Sequence, residues 1–87
     1  MIVSVEFIGS LQKSFNTKNC SVKLAEGASV SVLLQVLRTQ VSLSEERIDE
    51  SNLLVIKNGR EISVLQGFQT ALSNNDYVIL IPVSHGG

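Results

Sequence analysis

Asn75-Asp76-Tyr77-Val78-Ile79-Leu80-Ile81-Pro82-Val83-Ser84-His85-Gly86-Gly87 carries the reading of the fold. Tyr77–Pro82 is a short, nearly continuous apolar run behind the turn-forming Ser73-Asn74-Asn75-Asp76, as expected of an inner strand. Pro82 donates no hydrogen bond and is expected to end its pairing. Beyond it, Gly86 and Gly87 read as a thin arm that can thread a channel too narrow for side chains, because glycine lacks a Cβ. A frayed terminus is the plain alternative.

Upstream, Leu53-Leu54-Val55-Ile56-Lys57 is a second inner strand. Asn58-Gly59 follows it, the strongest short hairpin signal because both residues tolerate positive φ. Arg60-Glu61-Ile62 would be a short return strand. Val64–Leu72 reads as irregular or as a 3-10 turn. At the other end Val3, Val5 and Phe7 alternate with Ser4 and Glu6 over residues 2–8, and Cys20, Val22 and Leu24 alternate with Ser21 and Lys23. These are two half-buried strands, expected to pair antiparallel through a connection at Gly9 and Gln12–Asn19.

Between the two pairs, Ser29 is placed to cap a helix. Val30, Leu33, Leu34, Leu37 and Val41 recur at helical spacing, with Val32 and Val36 widening the apolar face. β-Branched valines weaken its propensity, so packing must hold it. The polar Ser42–Asn52 is expected to hold at most one helical turn, after Ser44. One helix covers one face of the sheet, which gives a two-layer α+β domain.

Eighty-seven residues suffice for one domain. Cys20 is the only cysteine, which excludes an internal disulfide and a multi-cysteine metal cage. Seven basic against eight acidic residues leave a net charge of −1, which argues against general nucleic-acid binding. No basic segment precedes the first apolar residues, so no signal peptide is expected. The apolar runs are too short to cross a bilayer, and a cytoplasmic location is expected. Mean hydropathy is nonetheless +0.25. For so small a domain, some apolar surface is expected to stay outside the fold.

These pieces resemble the β-grasp, ubiquitin-like sulfur carriers. Ile56-Lys57-Asn58-Gly59-Arg60 is similar to the hairpin of the small subunit of molybdopterin synthase, and Gly67-Phe68-Gln69-Thr70-Ala71-Leu72 to the family's GxxTxL stretch. Asn75–Gly87 resembles its GDxVxxxPPVxGG ending, with Asn75 in place of Gly and Pro82 in place of two prolines. His85-Gly86-Gly87 is also similar to the end of the ubiquitin-related modifier of tRNA thiolation. The resemblance implies a mixed four- to five-stranded sheet on one main helix, with residues 1–82 as the β-grasp domain and 83–87 as a flexible tail.

It also implies a chemistry. An α-carboxylate is an anion at neutral pH, with a pKa of about 3.3–3.7, and a very poor electrophile. A ubiquitin-activating-type enzyme would adenylate the Gly87 carboxylate with ATP. A sulfur donor protein would then convert it to a thiocarboxylate, whose sulfur passes to an acceptor enzyme such as the large subunit of molybdopterin synthase, or to tRNA thiolation. The chain would be a cosubstrate, holding no cofactor or metal and touching neither nucleic acid nor membrane. Gly86 and Gly87 are the candidate reacting residues. Immobilising each tail residue costs about 1–2 kcal/mol, so the domain must supply affinity. Whichever of Leu54, Ile56, Ile79 and Ile81 face outward form a candidate docking patch, unless loops cover them. Arg60, Val83 and His85 are candidate partner contacts, although Arg60 and His85 also read as ordinary solvated residues.

Other residues read more plainly. Cys20 at an apolar strand position reads as a small core residue rather than a persulfide carrier. Glu45-Glu46 and Asp49-Glu50 read as a polar face. Gly59 and Gly67 lack the spacing and lysine of a phosphate loop. No His, Cys and carboxylate set converges as an enzyme acting alone would need. Two rivals remain open: a modifier joined to lysines through Gly87, and a binding module whose glycines are incidental.

Overall fold

The computed structural model describes residues 1–40 and 48–83. Its order is β1 (Ile2–Phe7), α1 (Leu11–Phe15), β2 (Asn19–Lys23), α2 (Val30–Thr39), β3 (Leu53–Lys57), β4 (Arg60–Glu61) and β5 (Tyr77–Pro82). Short 3-10 turns occupy Glu50–Asn52, Ile62–Val64 and Gly67–Gln69; the last lies within Val64–Leu72, read as irregular or 3-10, whereas Ile62, read as the end of the return strand, opens the second turn instead.

The strands form one mixed sheet in the order β2-β1-β5-β3-β4. β5 is central because both of its faces are apolar. It runs parallel to β1, with Val5 opposite Val78, and antiparallel to β3, with Val55 opposite Leu80. The alternation in β1 sends Val3, Val5 and Phe7 to the side of α2, where they join Val55, Val78, Leu80, Leu33, Leu34 and Leu37 in the core. The Asn58-Gly59 turn has φ of 50° and 84°, the doubly positive geometry of a tight hairpin whose twist suits the flanking strands.

Ser29 caps α2 as expected. Its hydroxyl accepts from the Val32 amide at 3.3 Å. Ser29→Ala is expected to cost about 1 kcal/mol of unfolding free energy in a denaturant titration, since that donor loses its partner.

Two expectations are corrected. The connection read at Gly9 and Gln12–Asn19 instead holds α1, which starts at Leu11; Leu11 is buried and Phe15 stacks on Phe7 at 4.2 Å between ring centroids. Leu11 and Phe15 lie four apart and so share one face of a single helical turn. The apolar face of α2 is also narrower than its valines suggest. Val32 is 38% exposed, because it lies on the far side of the face made by Leu33, Leu34 and Leu37, whereas Val36 is half-buried and packs against the core as expected. Val41 and the turn expected after Ser44 lie outside the described residues.

Candidate functional site

The strand register decides the outer face of the sheet. Side chains alternate, so Val55 and Leu80 facing the core send Leu54, Ile56, Ile79 and Ile81 outward. All four are half-buried, with no second layer over them among the described residues. Ile79 lies opposite Ile56, and Ile81 opposite Leu54. Ile8 extends the strip across β1, its amide donating to the Leu80 carbonyl at 3.1 Å. The candidate docking residues of β3 and β5 therefore fall on one surface.

The strip ends where the chain leaves the sheet. Pro82 closes β5 opposite Leu53, and the Val83 amide donates to the Asn52 carbonyl at 2.8 Å. Gly9 holds φ +62° beside this exit, and a Cβ there would stand 3.6 Å from Pro82 Cγ. Val83 is 42% exposed at the same end. His85, Gly86 and Gly87 lie outside the described residues.

Arg60 does not join this surface. It pairs with Lys57, whose parity is that of the core side, and it is solvent-exposed at the sheet edge. Glu61, opposite Ile56, takes the outward place instead. One row across the sheet therefore reads Asn19, Glu6, Ile79, Ile56, Glu61. Sequence reasoning passed over Ile8, Glu6 and Glu61 as site residues. Yet the alternation of β1 runs on to Ile8, and a two-residue Asn58-Gly59 loop itself requires Glu61 opposite Ile56. Both carboxylates are held. Tyr77, diagonal to Glu6, donates its hydroxyl to Glu6 Oε1, and this bond raises the tyrosine pKa above its ordinary value. Glu61 accepts from the Ser63 hydroxyl and amide, each at 2.6 Å, and these bonds hold its carboxyl below the ordinary range.

The motifs that carry the family resemblance have structural roles. Asp76, nearly buried, accepts from Asn58 Nδ2 at 2.9 Å and from the Ser73 amide at 2.8 Å. Lys57 Nζ stands 3.7 Å from the same carboxylate. Asn58 Oδ1 in turn accepts from the Tyr77 amide at 2.9 Å. The hairpin is thus fastened to the start of β5, and Asn75, at φ 70°, supplies the left-handed residue of the turn before it. Thr70 is buried, and its hydroxyl accepts from the Gln66 amide at 3.0 Å. Its carbonyl accepts from Val30 at the start of α2, also at 3.0 Å.

Cys20 is half-buried on the core side of edge strand β2, opposite Val5. Burial pushes its thiol above the ordinary value, which disfavours the thiolate a sulfur-transfer nucleophile needs. Among the described residues no group of three His, Cys, Asp or Glu side chains is placed to hold a metal ion. No described helix is long and apolar enough to cross a membrane.

A five-stranded mixed sheet in this order, wrapped on one main helix, is the ubiquitin-like β-grasp fold. No family model and no curated protein matches the sequence. Solved structures do match. The HVO 2177 protein of Haloferax volcanii superposes with a TM-score of 0.82 at 27% identity, over 100% of this chain and 87% of that one. A proposed molybdopterin converting factor, subunit 1, from Pyrococcus furiosus gives 0.76 at 20% identity, over 97% and 99%. Small archaeal modifier protein 1 of Methanosarcina acetivorans gives 0.77 at 20% identity, over 99% and 96%. The resemblance read from the sequence is met at the level of the fold.

Proposed function

We propose that this chain is a sulfur carrier whose Gly87 carboxylate is the reacting group. The observation that carries this reading is the outward strip of Ile8, Leu54, Ile56, Ile79 and Ile81, which ends where β5 releases the chain toward Gly86-Gly87. A docked domain presents its tail as an intramolecular reactant, and such positioning replaces affinity that a glycine arm cannot supply.

A ubiquitin-activating-type enzyme is the first partner. A Gly87 carboxylate oxygen attacks the α-phosphorus of ATP, pyrophosphate leaves, and an acyl-adenylate forms. Sulfide, delivered by a donor protein, then attacks the acyl carbon, AMP leaves, and a thiocarboxylate remains. Its sulfur is consumed by an acceptor enzyme of the kind that the large subunit of molybdopterin synthase represents, or in tRNA thiolation. Nothing in this sequence of steps asks the chain for an acid, a base or a metal. Gly86 and Gly87 keep the acyl centre free of side-chain bulk.

A second reading has support in the likeness to small archaeal modifier protein 1, whose name describes a modifier: conjugation of Gly87 to lysines of other proteins. The two part at the product. Expression of the tagged chain in its source organism, followed by blotting under reducing denaturing conditions, separates them. A carrier runs as the free chain, whereas a ladder of isopeptide-linked species that needs Gly87 would make modification the function.

A further inference from the structure

Asn58-Gly59 is the one Asn-Gly pair in the chain, and it carries a chemical liability as well as a turn. The backbone nitrogen that follows an asparagine can attack its Cγ, and a glycine leaves that nitrogen unshielded because it has no Cβ. Both residues are exposed, and a Cβ built on Gly59 would meet nothing within 4 Å. Burial therefore does not keep water or hydroxide from the pair.

Hydrogen bonds close the site instead. Asn58 Nδ2 donates to Asp76 Oδ1 at 2.9 Å, and Asn58 Oδ1 accepts from the Tyr77 amide at 2.9 Å. The Asn58 backbone amide donates to the Tyr77 carbonyl at 2.8 Å. Asp76 is itself fixed by the Ser73 amide and by Lys57. Cγ cannot swing toward the Gly59 nitrogen until both side-chain bonds break. Their partners lie 18 and 19 residues away in sequence, so this clasp exists only in the folded chain.

We infer that Asn58-Gly59 is a covalent modification site gated by folding: the native chain keeps its asparagine, and the unfolded chain converts it to aspartate and isoaspartate. The Gly59 nitrogen bonds to Asn58 Cγ, the Cγ–Nδ2 bond breaks, and ammonia leaves with the Gly59 amide proton. Water then opens the resulting succinimide. Attack at Cγ gives aspartate, whereas attack at the backbone carbonyl carbon gives isoaspartate, with the chain rerouted through Cγ. The net change is water in and ammonia out. Either product weakens the clasp. Aspartate sets a second carboxylate within hydrogen-bond distance of Asp76, a repulsion that Lys57 offsets only in part. Isoaspartate adds a backbone carbon to a two-residue turn and disturbs the pairing of Lys57 with Arg60 and of Ile56 with Glu61. A chain that has spent time unfolded thus keeps a lasting mark at its hairpin.

The test ages the full chain at mildly alkaline pH, native and in guanidinium chloride. Peptide mapping by mass spectrometry follows the exchange of the Asn58 amide NH2 for a hydroxyl. The native rate is expected to be at least about tenfold lower, because two side-chain bonds, one to a charged group, must open first. Protection of the Tyr77 amide against hydrogen exchange should match the protection against deamidation within about threefold, since one opening exposes both. Asp76→Ala should raise the native rate about tenfold, whereas Leu37→Ala, a buried truncation remote from the turn, should leave it within about twofold. Both are compared at a temperature where melts show them folded. Asn58→Asp, which reproduces one product, is expected to melt about 4–8 °C lower than the wild-type chain. Equal rates in the native and denatured chain, or equal acceleration by Leu37→Ala and Asp76→Ala, would overturn gating by the clasp. A denatured chain that modifies its other asparagines as fast as Asn58 would overturn the site itself.

Discussion

A chain lacking Gly87 is expected to fold as the full chain does and to be activated at least about a hundredfold more slowly, because a displacement of an ångström at a reacting centre can cost that much. The truncated chain still ends in a carboxylate, that of Gly86, but one residue short of the ATP α-phosphorus. The described fold closes at Val83, whose amide bonds to Asn52. The melting temperature should accordingly stay within about a degree, as for changes at most exposed termini. Exchange assays read the first effect and a calorimetric scan the second. A truncated chain activated at the wild-type rate would remove the reacting role from Gly87. A truncated chain that melts early would instead make the tail part of the fold.

The opposite pattern is expected of Asp76→Ala. This carboxylate is nearly buried and accepts from Asn58 and Ser73, with Lys57 beside it. Removing it strands two donors, at about 1–3 kcal/mol for each unsatisfied group. A total of about 3 kcal/mol lowers the melting temperature of a domain this size by about 10–20 °C. At a temperature where the variant remains folded, its tail should be activated with nearly wild-type kcat, because Asp76 is remote from Gly87 in both sequence and role. A large fall in kcat with unchanged stability would show that the motif serves the chemistry rather than the fold.

This contrast explains what could be read in the sequence and what could not. The residues that carry the family resemblance, Asn58-Gly59, Gly67–Leu72 and Asn75-Asp76, are legible because each answers a local demand. They supply positive φ at Asn58, Gly59 and Asn75, a buried hydroxyl at Thr70, and a carboxylate that ties the hairpin to β5. They specify the β-grasp and leave its use to the surface. α1 was hidden because its apolar content is two residues, Leu11 and Phe15, inside a polar stretch, and only the stack of Phe15 on Phe7 gives that turn a reason to form.

The site was legible in its components and not in its arrangement. Leu54, Ile56, Ile79 and Ile81 could be named as surplus apolar residues, since one helix leaves one face of the sheet without a layer. That all four share the outer face follows from the antiparallel register of β3 with β5, a pairing between segments more than twenty residues apart. Arg60 drew attention as the charge beside the hairpin, whereas the register of a two-residue turn assigns the outward position to Glu61. Glu6 becomes part of the same row only because β5 inserts between β1 and β3.

The most direct test of the sulfur-carrier proposal is an intact mass spectrum of the full chain after incubation with its adenylating enzyme, ATP and a sulfur donor. The proposal predicts a mass gain equal to the replacement of one oxygen by sulfur, localised to Gly87 and lost when either ATP or Gly87 is removed. An unchanged mass, with an enzyme shown to be active on another carrier and a competent donor present, would contradict it.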